Sequence, residues 1–291
     1  MRPLTVIAAI LVASCSAERV VDPPFPPPPA DAVTFVGAGD IARCNSMNDE
    51  ATATLLDGIG GTVFTLGDNV YENGTAAEFA DCYGPSWGRH RSRTKPVAGN
   101  HDYNTIDATG YYDYFGDAAG PRGKGYYSFD YGGWHIIILN SNIPRDASSE
   151  QITWLRADLA GSQAKCTMAL WHHPRFSSGV HGNDATQQPF WDALYELAAD
   201  VVLVGHDHSY ERFARQTPTG DADSARGIRE FVVGTGGTSL RSFGLVIAPN
   251  SEFHNNTTWG VLKLDLTPTA YWWSYVTTTG RVLDSGAEMC H

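Results

Sequence analysis

Four short apolar runs in this chain each stop at a residue able to bind a proton or a metal, which restricts the fold more than any other feature. Val33-Thr34-Phe35-Val36 breaks at Gly37-Ala38-Gly39-Asp40, and Thr62-Val63-Phe64-Thr65-Leu66 ends in Gly67-Asp68. Met168-Ala169-Leu170-Trp171 delivers His172, and Val201-Val202-Leu203-Val204 runs into Gly205-His206-Asp207-His208. Short runs rich in β-branched and aromatic residues and bounded by glycine read as strands, so each polar residue falls at a carboxyl end. Between the first two runs, residues 48–59 predict a helix with Leu55, Leu56 and Ile59 at helical spacing, stopped by Gly58-Ile59-Gly60-Gly61. In open α/β sheets ligands bind beyond the carboxyl ends of the strands, so the four ends are expected to converge.

The rest of the chain extends this pattern. Residues 126–131 and 134–139, split by Gly132-Gly133, predict a hairpin. Ser148 and Gln151 read as a capping box for a helix carrying Ile152, Leu155 and Leu159. Residues 184–199 read as a helix through Phe190, Leu194 and Leu197, and the closing third is mostly strands. The expectation is an α/β (α+β) layered sandwich, two mixed β-sheets flanked by helices.

The first thirty residues have another character. Met1-Arg2 followed by apolar residues 3–14 has the form of a signal peptide, too short to span a bilayer. Its end, Val12-Ala13-Ser14-Cys15, resembles a bacterial lipobox, which implies an exported chain anchored to a membrane by a lipid on Cys15; ordinary cleavage after Ala17 is the alternative. The expected organisation is a signal peptide at 1–15, a proline-rich linker at 16–30 and one folded domain at 31–291. Without Cys15, four cysteines remain, Cys44, Cys82, Cys166 and Cys290, and an even number in an exported chain suggests two disulfides with three possible connectivities. Lys plus Arg total 20 against 32 Asp plus Glu, a net charge of −12 with no basic block, so nucleic acid is excluded as a partner.

A loop, Gly99-Asn100-His101-Asp102, adds to the four strand ends. An Asp after Gly is ordinarily a turn residue and a loop His is ordinarily solvated. Asp, Asn and His in five ordered blocks, however, form a hard-to-borderline ligand set suited to Fe, Zn or Mn. Gly39-Asp40, Gly67-Asp68-Asn69-Val70-Tyr71, Gly99-Asn100-His101-Asp102, Trp171-His172-His173 and Gly205-His206-Asp207-His208 resemble the signature blocks of the calcineurin-like metallophosphoesterases.

The resemblance implies a catalytic domain holding two metal ions, one on Asp40 and His208, the other on Asn100, His172 and His206, with Asp68 bridging. Most of the wider family has a ligand His two residues after the first Asp, where this chain has Ala42. Gly67-Asp68-Asn69-Val70-Tyr71 is similar instead to the purple acid phosphatases, which implies Tyr71 as an iron ligand and an Fe(III) ion beside a divalent Fe, Zn or Mn. His101 and His181 are then the catalytic candidates, stabilising phosphoryl oxygens or protonating the leaving group. The implied activity is phosphomonoester hydrolysis by a metal-bound hydroxide. A phosphodiesterase or nucleotidase on the same scaffold and a non-catalytic phosphate-binding surface lipoprotein remain alternatives. On this reading Cys44 and Cys82 lie near the metal rim, which favours Cys44–Cys82 with Cys166–Cys290 among the three pairings. His135, on a strand, is expected to be a packed structural residue.

Overall fold

Alternation along the central strands sets the layers. Ile136, Ile138, Met168, Leu170, Val201 and Leu203 face one hydrophobic cluster, while Ile137, Leu139, Ala169, Trp171, Val202 and Val204 face a second. Successive side chains of a strand point to opposite faces, so these runs are buried on both sides and form the middle of a stack. The structure, a computed structural model, describes residues 26–291; the signal-like segment, Cys15 and the linker up to residue 25 lie outside the described residues.

One sheet has six strands in the order Val282–Met289, Ala270–Thr277, Gly260–Thr267, Val33–Ala38, Thr62–Thr65, Thr94–Lys95. The other has seven, in the order Ser251–Asn255, Tyr210–Phe213, Arg229–Val233, Val201–Val204, Cys166–Leu170, Trp134–Ile138, Tyr127–Tyr131. Each is mixed: Val33–Ala38 runs parallel to Thr62–Thr65 but antiparallel to Gly260–Thr267, and the four strands from Trp134–Ile138 to Arg229–Val233 are parallel. The first cluster draws residues from both sheets and lies between them; the second is covered by the helices Glu150–Gly161 and Gln188–Glu196. The expected layered sandwich is thus the one observed.

Two local expectations need correction. The helix at 150 is capped by Ser149, whose side chain accepts from Ile152 N–H, while Ser148 bonds Asp146. Gln151 is drawn instead to the backbone of Asn140, accepting from its N–H at 2.7 Å and donating to its carbonyl at 3.0 Å. Residues 184–199 do not form one helix: a 3-10 turn, Ala185–Gln187, precedes Gln188–Glu196, because Asp184 caps the turn and Pro189 suits a helix start.

Disulfides join Cys44 to Cys82 and Cys166 to Cys290, the favoured pairing. His135 is buried between Asp130 and Asp158, at 3.0 and 2.9 Å, in the packed role expected of it. At the described end of the linker, Trp272 Nε1 donates to the Pro26 carbonyl at 2.8 Å, so the proline segment there lies against the six-stranded sheet. No helix among the described residues is long and apolar enough to cross a membrane.

Candidate metal centre

All four strand ends converge. Asp40, Asp68 and His206 each take a positive φ, of 60°, 49° and 70°, a left-handed turn that bends the chain as it leaves the strand. Such a conformation costs a non-glycine residue about 1 kcal/mol or more and is retained where function requires it. Close approach then demands glycine: a Cβ on Gly99 would lie 2.1 Å from Asp68 N, and one on Gly67 2.6 Å from His172 Nδ1.

Tyr71 joins one half of the cluster. Its hydroxyl lies 2.8 Å from Asp40 Oδ1, 3.1 Å from Asp68 Oδ2 and 3.2 Å from His208 Nε2. A two-residue parallel pairing, Ala42–Arg43 with Val70–Tyr71, sets the ring there. The other half gathers around His172 Nε2, with Asn100 Oδ1 at 3.1 Å, His206 Nδ1 at 3.2 Å and Asp68 Oδ2 at 3.3 Å. Asp68 therefore touches both halves. All seven residues singled out as ligands in the sequence lie in this one network.

The imidazoles are held from behind by carbonyls. His172 Nδ1 is 2.7 Å from Leu66 O and His208 Nδ1 is 2.8 Å from Ser239 O. Donation through Nδ1–H turns each Nε2 into the cluster, where its lone pair is free once the ring is neutral. Burial alone would keep His172 neutral, but Asp68 and Asp40 override it and push it up to about 9. The same contact, with His101, holds the Asp68 carboxyl well below the usual range against its own burial. Burial and the neighbouring His172, His173 and His181 keep His206 neutral. Asp40 and Asp68 are 0% and 1% exposed, and no Lys or Arg pairs with either among the described residues. Two buried carboxylates that face only imidazoles and a phenol leave negative charge for a cation to neutralise, and this oxygen and imidazole donor set fits hard-to-borderline metal ions.

The two catalytic candidates flank the cluster. His101 N–H donates to Asp68 Oδ1 at 2.8 Å; its Nδ1 bonds Glu72 O at 2.7 Å, and its Nε2 lies 4.0 Å from Asp68 Oδ2. His181 stacks on His206 with ring centroids 4.1 Å apart, its Nδ1 bonded to Asp207 Oδ1 at 2.8 Å and its Nε2 meeting Arg241 Nη1 at 3.0 Å.

Three supporting groups lie outside the implied ligand set, one of them, His173, near enough in sequence to His172 to be expected within reach of phosphate. Asp102 is fully buried and accepts from Gly99 N–H at 2.8 Å and Asn69 Nδ2 at 2.9 Å, locking the Asn100 loop to the Asp68 loop; burial and nearby Asp68 push it up to about 7. Its place in the Gly-Asn-His-Asp block was a usable signal. His173, left outside the ligand pattern, has its ring 4.4 Å from that of His206 and its Nδ1 on Ser141 Oγ at 2.7 Å. With His172 and His206 it forms a trio close enough to share an ion. Asp207 carries the His181 loop, accepting from Ser177 Oγ and from His181 N–H at 3.1 Å.

A two-sheet sandwich with a paired donor cluster at its strand ends defines a metallophosphoesterase-type fold and site. Residues 33–210 match the calcineurin-like phosphoesterase family, to which the chain belongs. It is similar to purple acid phosphatase 22 of Arabidopsis thaliana, 29% identical over 261 residues, covering 79% of this chain and 57% of the relative. Overall, the chain spans about half the length of the curated relatives it matches. Among solved structures its fold resembles purple acid phosphatase PPD1 from yellow lupin (Lupinus luteus) seeds, with a TM-score of 0.73 at 19% identity, covering 88% of this chain and 53% of that one. The fold also resembles GAP50, the anchor in the inner membrane complex of Plasmodium, with a TM-score of 0.66 at 14% identity and 89% coverage of each chain.

Proposed function

We propose that the protein is a phosphate-ester hydrolase similar to purple acid phosphatases, acting on phosphomonoesters with two metal ions, Fe(III) beside a divalent Fe, Zn or Mn. The observation that carries this reading is the Tyr71 hydroxyl within 3.2 Å of Asp40, Asp68 and His208, a phenol, two carboxylates and an imidazole that together suit a hard, highly charged cation. Asp40, Tyr71 and His208 would hold one ion, Asn100, His172 and His206 the other, and Asp68 both. Such a pair supplies Lewis-acid charge and an acidified water at neutral pH.

The chain's own groups then have separate tasks. The carbonyls of Leu66 and Ser239 orient His172 and His208, and Asp102 orients the Asn100 loop. His101 presents Nε2 toward the cluster and is suited to a phosphoryl oxygen or the departing alkoxide. Export belongs to the same reading, supported by the two disulfides, and a lipid on Cys15 rests on the lipobox-like sequence alone; Cys15→Ser should release the chain from the membrane fraction.

The test is to purify the full chain, measure its metals, and compare p-nitrophenyl phosphate with bis(p-nitrophenyl) phosphate for wild type and Asp68→Asn. Monoester hydrolysis that requires about two metals and is lost in the variant is expected. Preference for the diester would make it a phosphodiesterase. Phosphate binding without release of nitrophenol would make it a binding protein.

A further inference from the structure

The arginines around the donor cluster are mostly committed elsewhere. Arg43 pairs with Glu72 and Arg175 is bonded to Gln188 and the Pro218 carbonyl, whereas Arg145 makes one bond, to Thr186, and keeps a buried Nε without a partner. Arg241 alone among these is bonded both to a cluster residue and to a ring stacked on another. Its N–H donates to the His208 carbonyl at 3.0 Å and its own carbonyl accepts from Asn256 Nδ2 at 3.1 Å, which fixes its backbone beside a donor of the cluster. Its guanidinium makes one side-chain bond, Nη1 to His181 Nε2 at 3.0 Å, and no carboxylate pairs with it among the described residues.

His181 is itself immobilised. Asp207 accepts from its N–H and faces its Nδ1, and its ring lies nearly flat on His206, at 28°. With the Nδ1 proton given to Asp207, Nε2 is an acceptor, and an arginine is always a donor. The bond thus runs from Arg241 to His181. It ties a guanidinium, most of whose N–H groups remain uncommitted, to a ring stacked on the cluster.

We propose that Arg241 is the phosphoryl-binding cation of this site and that His181, backed by Asp207, is a positioning residue for that guanidinium instead of a proton donor. The proposal rests on the phosphate-ester reading above. A planar fork of N–H donors matches the non-bridging oxygens of a phosphate. In a chain of net charge −12 a fixed local cation also offsets the repulsion that a dianionic ester meets.

The experiment uses the metal-loaded full chain as wild type, Arg241→Gln, Arg241→Lys, His181→Gln and the Arg241→Gln/His181→Gln double variant. Binding of inorganic phosphate is measured by calorimetry, kcat and KM with p-nitrophenyl phosphate, and metal content and Tm as controls. Arg241→Gln should weaken phosphate binding and raise KM about tenfold or more, with a smaller change in kcat and unchanged metal content. Arg241→Lys should recover part of the loss, and the double variant should be little worse than Arg241→Gln alone. Phosphate affinity in Arg241→Gln within twofold of wild type, with hydrolysis intact, overturns the Arg241 assignment alone. Additive losses in the double variant overturn the positioning role of His181. A wild type that neither binds phosphate nor hydrolyses the ester overturns the functional reading and this proposal with it.

Discussion

The hydroxyl of Tyr71 stands 2.8 Å from Asp40 Oδ1. The two residues come from different strand ends, so this bond closes one loop against the other. Burial, together with Asp40 and Asp68, pushes the phenol well above its ordinary range. A phenolate would form there only opposite a strongly charged cation. The position two residues after Asp40, where the wider family has a ligand His, is the buried Ala42, and its short pairing with Val70 brings the phenol into the cluster.

Tyr71→Phe keeps the ring, which packs 4.4 Å from that of His101, and removes only the oxygen. The fold should therefore survive, with a stability change of about 1 kcal/mol. Iron content should fall relative to the divalent metal, and a visible tyrosinate-to-iron band should vanish. Metal analysis and a visible spectrum of both proteins check this; a band of equal intensity in the variant would remove Tyr71 from the ligand set.

Asp102→Asn tests the link between the two ligand loops. A carboxylate accepts from Gly99 N–H and from both nitrogens of Asn69, whereas an amide in the same place brings its own NH2 against these donors. Asn100 should lose its fixed position, and metal affinity or activity should drop about 10- to 100-fold, as for other groups that orient ligands. Metal titration by competition with a chelator reads the loss directly. An affinity equal to wild type would show that the Asn100 loop holds its shape without Asp102.

The strand ends were legible because hydrophobic runs that stop at Gly-Asp or Gly-His carry both period and punctuation. Their convergence was an inference from sheet topology, and it extended to Tyr71 because a sequence block tied that residue to Asp68. The groups behind the ligands were not legible. Leu66 and Ser239 act through backbone carbonyls, which any residue possesses, so their side chains carry no signal. Arg241 lies 60 positions from His181, in a segment with no motif. The misplaced cap had a similar origin: Ser148 and Ser149 are equivalent by pattern, and the pull of Gln151 toward Asn140 is tertiary.

A half-buried ionic network ties the C-terminal strand to the seven-stranded sheet and should contribute to acid stability. Arg229 bonds Glu288 at 2.5 Å and Glu252 at 2.7 Å, and Tyr271 donates to Glu288 at 2.6 Å. Burial opposes ionisation of Glu288, but Arg229 and its neighbours outweigh it and bring the carboxyl down from 4.5 to about 2. A carboxyl depressed by folding binds its proton more readily in the unfolded chain. Its stabilisation is therefore complete above pH 4.5 and is lost as pH falls toward about 2. Wild-type Tm should decline across that window, and Glu288→Gln should start lower and decline less. Arg229→Met, which leaves Glu252 to Arg212 and Glu288 to Arg215, should cost about 1.5–3 kcal/mol, the worth of a hydrogen bond to a charged group. Parallel Tm profiles for wild type and Glu288→Gln below pH 4.5 would assign the acid sensitivity to other groups.

The two disulfides should separate stability from metal binding. Cys166 begins the strand Cys166–Leu170 and His172 follows its far end, so the Cys166–Cys290 bridge sits away from the cluster while closing a separation of 124 residues. Replacing both cysteines with serine should cost about 2–4 kcal/mol through the freed unfolded chain, seen as a lower Tm with metal content and activity of the folded fraction unchanged. Cys44 lies four positions after Asp40, and its bridge to Cys82 restrains the loop that follows that carboxylate. Its removal should weaken metal binding as well as stability, because the left-handed turn at Asp40 then loses a tether. Chelator titration and thermal melts of the two double variants distinguish these effects. Metal loss in the Cys166/Cys290 variant with an unchanged Tm would contradict the assignment of that bridge to stability alone.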